Sequence, residues 1–318
     1  LILAILFIPI IHRLLKEYSI GKYDNKLAKK YFKYGRAIFF MSVINSVTNY
    51  SDKLMLAHLT NTTQLGYYSA ANSIGGLILT LAGSVGLIFF PLFSGLISKG
   101  EWDGVNTKIY QYHEFIILFL FPLICLLSII GGPVILLILG NKYKPSIIPF
   151  QILIFASYLS VLGIPYGNII SGMGKFNYDV FINLICLAVF IISIFVFIAP
   201  MMLNLGIVGL AANQLVMNFT KNGLYLYFAK KLGEVRLKSN NNIRHIIIIG
   251  WTILAYFISI YLKRFISLWW LLMIPIYLIP LYLILNITGF MEKQHWRLLL
   301  ETFNIKKTLK YAYNELKH

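Results

Sequence analysis

The sequence predicts an all-α membrane protein: a polytopic bundle of helices that cross a bilayer. Three observations carry this prediction. The 318 residues are 58% hydrophobic and 12% charged, with a mean hydropathy of +0.75, whereas soluble domains are about a quarter charged. Eight apolar segments follow one another at 36–59, 66–97, 107–131, 146–170, 177–199, 205–229, 244–262 and 266–290. Each is near the ~20 residues that cross hydrocarbon as a helix, and far longer than a barrel strand. Lysine and arginine, finally, favour alternate gaps. The set of gaps that begins with 12–36 holds 22 of the 28 Lys and Arg residues, while the opposite set holds Lys142, Lys144, Lys263 and Arg264 alone. Cytoplasmic loops carry the excess of positive charge. The rich side, including the C-terminus, is therefore expected in the cytoplasm, and the protein in the cell membrane.

The elements follow in order. Leu1–Ile11 is apolar but shorter than a span. It reads as the end of a truncated transmembrane helix, so the chain is expected to be the C-terminal part of a longer protein. Residues 12–35 form a basic cytoplasmic linker. The stretch DNKLAKKYFKYGR (Asp24–Arg36) has the basic amphipathic pattern of a helix lying on anionic lipid. Residues 36–230 hold six transmembrane helices that make one lobe. Residues 231–290 add a cytoplasmic loop and two C-terminal spans. The basic tail, 291–318, carries Trp296, Leu298, Leu299, Leu300 and Phe303, the mark of a helix on the inner leaflet.

Composition also bounds function. A net charge of +17 and a pI near 9.7 would point to nucleic acid in a soluble protein. Here the cations sit between apolar runs, so no nucleic-acid partner is expected. Cys125 and Cys186 both lie inside apolar segments, leaving no disulfide framework and no zinc spacing. No histidine pairs with another at i+4 beside a carboxylate, no glycine-rich phosphate loop follows a strand, and no acidic pair suits a metal-bound nucleotide sugar. Neither enzyme chemistry nor a cofactor or metal is expected.

Three polar stripes remain. The first helix carries Ser42, Asn45, Ser46, Asn49, Asp52 and Lys53 at helical spacing. A charge at mid-membrane costs roughly 2.5–3.5 kcal/mol even on lenient scales, so such residues face a protein interior or a wet cavity. In that reading Asp52 is an ion or proton site and Lys53 an anion contact. A second reading stays open. Asp52 lies eight residues before Thr60, about 12 Å along a helix, close enough to the outer interface for Lys53 to snorkel. On 205–229, Gln214, Asn218, Lys221 and Tyr225 share one face. They suit either a cavity wall that meets phosphate or sugar, or interhelical hydrogen bonding with Lys221 snorkelling inward. The third stripe, Ser69, Asn72, Ser73, Gly76, Thr80 and Gly83, is expected to serve close helix packing. Glu114 and His113 are expected to be lone interfacial groups.

The order of several short motifs completes the picture. A polar first helix with Asp52 leads to LGYYSAANSI (Leu65–Ile74) and then FFPLFSGL (Phe89–Leu96). LGNKYKPSIIPFQIL (Leu139–Leu153), SGMGKFNYDVFINL (Ser171–Leu184) and LGIVGLAANQL (Leu205–Leu215) follow. This series, over about 36–230, resembles the C-terminal half of polysaccharide-biosynthesis flippases, the O-antigen type within the multidrug/oligosaccharidyl-lipid/polysaccharide exporter superfamily. The resemblance implies a fourteen-helix, two-lobe transporter. This chain would supply the second six-helix lobe plus two extra helices. It also implies flipping of lipid-diphosphate-linked oligosaccharide from the inner to the outer leaflet by alternating access. The pathway residues would be Asn45, Asn49, Asp52, Lys53, Gln214, Asn218 and Lys221. Lipid-linked oligosaccharide and anionic lipids are the expected partners, with a glycan polymerase and glycosyltransferases as further candidates. No arginine lies in the middle of any lobe helix, so the main diphosphate contacts are expected in a first lobe outside this sequence. Two alternatives are a cation-coupled multidrug exporter of the same superfamily and a membrane glycosyltransferase or ligase.

Overall fold

A computed structural model describes residues 24–59, 61–198, 202–236 and 241–291. The expected truncated helix at 1–11, most of the linker and nearly all of the basic tail lie outside these residues. Among the described residues every long element is helical. The elements are α1 (Asn25–Leu59), α2 (Thr62–Ser98), α3 (Trp102–Phe115), α4 (Phe121–Leu139), α5 (Ile147–Gly172), α6 (Phe176–Ile198), α7 (Gly206–Leu232), α8 (Asn241–Phe265) and α9 (Trp269–Ile287). A π turn, Ile116–Leu120, fuses α3 and α4 into one rod, and a short 3₁₀ segment, Asn141–Ser146, precedes α5.

Among the described residues, five stretches are long and apolar enough to cross a membrane: Trp102–Leu139, Asn141–Gly172, Phe176–Ile198, Ile243–Phe265 and Trp269–Ile287. The protein is an all-α polytopic membrane protein. The helix α7 falls short by composition, because Asn213, Gln214, Asn218, Lys221 and Asn222 dilute its apolar run. The basic stretch expected to lie apart on the lipid surface instead runs unbroken into the first span from Asn25. The sequence Asn25–Leu59 contains no proline and no turn-forming cluster to stop a helix.

Local chemistry sets the breaks. Asn61 caps α2 from an extended backbone, its side chain accepting from the Gln64 N–H at 2.8 Å. Gly174 turns the chain between α5 and α6 at φ +68°, where a Cβ would be strained. Within α5, Pro165 lacks the N–H that would bond the Val161 carbonyl. The Tyr112 hydroxyl of α3 takes up that carbonyl at 2.8 Å, and His113 Nε2 meets the neighbouring Leu162 carbonyl at 3.1 Å.

The helix α5 is the hub. It packs most extensively on α2 and α7, while α6 lies against α7 and α1. One apolar cluster joins α2, α4, α5 and α6 to the C-terminal pair. A second, built around Phe93, Ile109, Tyr166, Ile182, Cys186 and Phe228, closes the end that carries Lys99, Lys108, Lys175, Lys230 and Lys231. At that basic end the Asn106 side chain donates to the Glu234 carbonyl and accepts from the Arg236 N–H, tying the α7–α8 connection to α3. Large apolar side chains such as Ile246, Ile253, Phe257 and Leu283 point outward, as in a bundle solvated by lipid.

The C-terminal pair docks through α4 and the π turn. The stripe Met273, Tyr277, Leu281 and Leu285 on α9 is fully buried at four-residue spacing. Tyr282 donates to the Leu118 carbonyl inside the π turn at 3.1 Å. Beside it Arg244 of α8 meets Glu114 of α3 at 2.5 Å, with both side chains almost wholly buried. The expectation that Glu114 and His113 stand alone is therefore wrong. They lie where α3, α5 and α8 meet, and the Tyr158 hydroxyl bonds His245 at 2.6 Å alongside. In the sequence Arg244 is one of the 22 cations on the basic side, and a sequence does not show which helix a loop-flanking cation leans on.

Removing one partner of a buried ion pair costs about 3–5 kcal/mol, whereas replacing both with apolar groups of similar size is often neutral. Glu114→Gln and Arg244→Met are thus each expected to lower the detergent melting temperature of the full-length protein clearly. Glu114→Leu combined with Arg244→Met should restore most of it. Equal melting of wild type and both single variants would refute the pair's structural weight.

Candidate functional site

The sequence of α7 places five polar side chains on one broad face within twelve residues: Gln214, Asn218, Lys221, Asn222 and Tyr225. Two of the amides reach across to α5. Asn218 Nδ2 donates to the Ala156 carbonyl at 3.0 Å, and Asn222 Nδ2 donates to the Leu159 carbonyl. The close approach needs Gly163, since a Cβ there would strike the Asn222 side chain. Asn213 points the other way, fully buried beside Ser193 of α6. The amides therefore do both things that sequence left open: they bond helices together and they line open space.

That space is a cavity of about 360 Å³ between α1, α2, α5 and α7. Asn45 and Thr48 face it from α1, Asn72 and Gly76 from α2, and Ser157 and Ser160 from α5. Gln214, Asn218 and Lys221 complete the wall from α7. Hydroxyls and amides dominate, and Lys221 is the one charged group among its lining residues. The structure thus brings Asn45, Gln214, Asn218 and Lys221 together. Asn49, Asp52 and Lys53 lie further along α1 toward Leu59, with Asp52 about 10 Å beyond Asn45 by helix rise. Their side chains are outside the described residues.

The small-residue stripe on α2 behaves differently from the expectation. The face that packs on α5 is one residue over: Tyr68, Ala71 and Gly75 are buried, with a Gly75 Cβ position 3.6 Å from Leu153 Cβ. Asn72 and Gly76 are rotated about 100° from that seam and open onto the cavity. Ser73 and Thr80 satisfy their hydroxyls on the Ser69 and Gly76 carbonyls of their own helix.

A second cavity, about 270 Å³, adjoins the first toward the basic end. It lies between α1, α5, α6 and α7, and it shares Ser160 and Lys221 with its neighbour. Asn168 and Ser171 line it from α5, Asp179 from α6, and Asn222 and Tyr225 from α7. The Lys221 ammonium sits 5.9 Å from the centre of the Tyr225 ring, within cation–π range. It forms no ion pair with a described residue, and it lines both cavities. Asp179 is 1% exposed. Its Oδ2 accepts from the Ser171 hydroxyl at 2.8 Å, while Oδ1 has no hydrogen-bond partner among the described residues. Sequence reasoning passed over Asp179, Asn168 and Asn222. The available signal was a carboxylate at the very start of an apolar run, which is also the ordinary place for an N-terminal helix charge.

The arrangement is a column of two polar cavities joined at one ammonium, inside an apolar bundle. Residues 2–148 match the family described as polysaccharide biosynthesis protein. A membrane protein of Methanocaldococcus jannaschii is 25% identical over 214 residues, covering 67% of this chain and 41% of that protein. The capsular polysaccharide biosynthesis protein CapF of Staphylococcus aureus is 29% identical over 224 residues, covering 68% of this chain and 54% of that one. The chain thus spans about half the length of the curated relatives it matches. The first part of the chain is thus similar to the polysaccharide biosynthesis family, and both relatives are distant.

If the larger cavity is wet, cysteines introduced for Asn72 and Gln214 in the full-length protein will react with a membrane-impermeant hydrophilic maleimide. Asn213→Cys will not, and the buried Cys125 and Cys186 will give little background. Labelling of Asn213→Cys as fast as the other two, or of none, would contradict the geometry.

Proposed function

We propose that this chain forms part of a flippase that carries lipid-diphosphate-linked oligosaccharide from the inner to the outer leaflet. The observation that carries the reading is the larger cavity, where amides and hydroxyls from four helices surround one lysine. A sugar head group cannot enter hydrocarbon without replacements for its water hydrogen bonds. Side-chain amides and hydroxyls supply both donors and acceptors. Lys221 supplies charge for a phosphate as a compact, rotatable donor. The family match over residues 2–148 and the capsular polysaccharide relative favour a glycan as cargo. The distribution of lysine and arginine supports an orientation with the basic end in the cytoplasm. In that orientation the smaller cavity faces the side of synthesis, and Asp52 and Lys53 lie toward the side of release, where an outer gate or a coupling site belongs. Alternating access around a fixed polar site completes the cycle.

A multidrug exporter of the same superfamily is the second reading. It would favour an aromatic, acidic chamber for a cationic drug. The larger cavity has neither an aromatic nor a carboxylate among its lining residues, which favours the glycan.

The test is glycan export by the full-length protein. Losing a hydrogen bond to a charged group costs about 1.5–3 kcal/mol, or roughly tenfold or more. Lys221→Met is thus expected to cut surface glycan about tenfold at unchanged protein level, with Lys221→Arg retaining part of the activity. Normal surface glycan in the Met variant, read by lectin binding, would overturn the role of Lys221.

A further inference from the structure

The two cavities differ in charge. The larger holds an ammonium and no carboxylate; the smaller holds the same ammonium together with Asp179. Lys221 and Asp179 both line the smaller cavity but are not within 4.0 Å of one another. A buried carboxylate oxygen with no donor is expensive, and an ordinary fold would close the gap with a direct ion pair. Here the gap is a chamber of about 270 Å³.

A ligand for that chamber must offer a proton donor to Asp179 Oδ1 and tolerate Lys221. An added cation meets the ammonium, and an added anion meets the carboxylate. A neutral hydroxyl suits both, because it donates to the carboxylate and accepts from the ammonium. The other walls fit a sugar ring. Ser171 holds Oδ2 and so fixes the carboxylate plane. Asn222 is anchored to the Leu159 carbonyl, and the Tyr225 ring offers an apolar face.

We infer that the smaller cavity is a subsite for a neutral, hydroxyl-bearing sugar unit, with Asp179 as its hydroxyl acceptor, while the phosphate lies on the larger-cavity side of Lys221. This inference rests on the reading of Lys221 as the phosphate contact. It divides the ligand at that residue, with a phosphate in reach of the ammonium and a sugar hydroxyl in reach of Asp179. Asp179 then determines which sugar is accepted next to the phosphate, because hydroxyls of different configuration reach a fixed carboxylate differently.

The experiment is titration calorimetry on the purified full-length protein. The probes are inorganic pyrophosphate and the 1-phosphates of glucose, galactose and N-acetylglucosamine. Asp179→Asn is expected to weaken at least one sugar 1-phosphate about tenfold and to leave pyrophosphate within about twofold, with an unchanged elution profile. Lys221→Met should weaken pyrophosphate and the sugar phosphates alike. Three results overturn the inference: no sugar phosphate binds wild type, none depends on Asp179, or Asp179→Asn weakens pyrophosphate as much as the sugar phosphates. Pyrophosphate binding that ignores Lys221→Met, with sugar binding still dependent on Asp179, would instead sink the phosphate reading and leave the subsite standing.

Discussion

The hydrogen bonds from the α7 amides to the α5 backbone hold the centre of this molecule. Asn218 reaches Ala156 and Asn222 reaches Leu159, three residues apart on one helix and four apart on the other. In hydrocarbon an amide has few alternatives to a protein partner, and a lost partner leaves a buried polar group. The two bonds thus fix the rotation of α7 about its axis. Once that rotation is set, Lys221 lies between them and must point into the space beside α5. Gly163 is the counterpart on α5, because any side chain there would push the helices apart. The cavities follow from this seam: what does not fit between α5 and α7 is left as room.

Much of the architecture was readable from the chain. Long apolar runs, their punctuation and the bias of basic residues define a helical membrane bundle, and periodicity correctly grouped Gln214, Asn218 and Lys221 on one face. What escaped was pairing between helices. The stripe on α2 could be recognised as small and polar, but whether Ala71 or Asn72 meets α5 depends on a rotation of one residue. Asp179 and Glu114 each sit at the end of an apolar segment, where lone charges usually meet water. Both are buried because a distant element covers them, α8 in the case of Glu114. For Glu114 that information lies in a contact 130 positions away, and for Asp179 in Ser171 and the α7 residues Lys221 and Tyr225. The start of the first helix was missed for a different reason. Lysines at Lys26, Lys29 and Lys30 favour a membrane surface by charge, but they are also good helix formers, and nothing between them and the span breaks the helix.

The two sorts of buried charge play different parts. Glu114 and Arg244 touch, and Phe290 lies 5.6 Å from the guanidinium; this pair holds α8 to the lobe. Asp179 and Lys221 are kept apart by the geometry of three helices. A pair that touches is at rest. A pair that cannot touch still needs partners, and so marks a place where something else belongs.

Tyr112 has a consequence for how the bundle can bend. Its hydroxyl stands in for the amide that Pro165 lacks, so the weak point of α5 is bridged by a side chain from α3. Backbone ladders are rigid; a tyrosine tether can swing. The tether grips α5 at Val161, with His113 beside it on Leu162, just before Pro165 and two residues beyond the Leu159 carbonyl that Asn222 holds. A tilt of α3 would therefore pull on α5 beside the amide seam, which makes this one turn of α5 the pin through which two neighbouring helices feel each other.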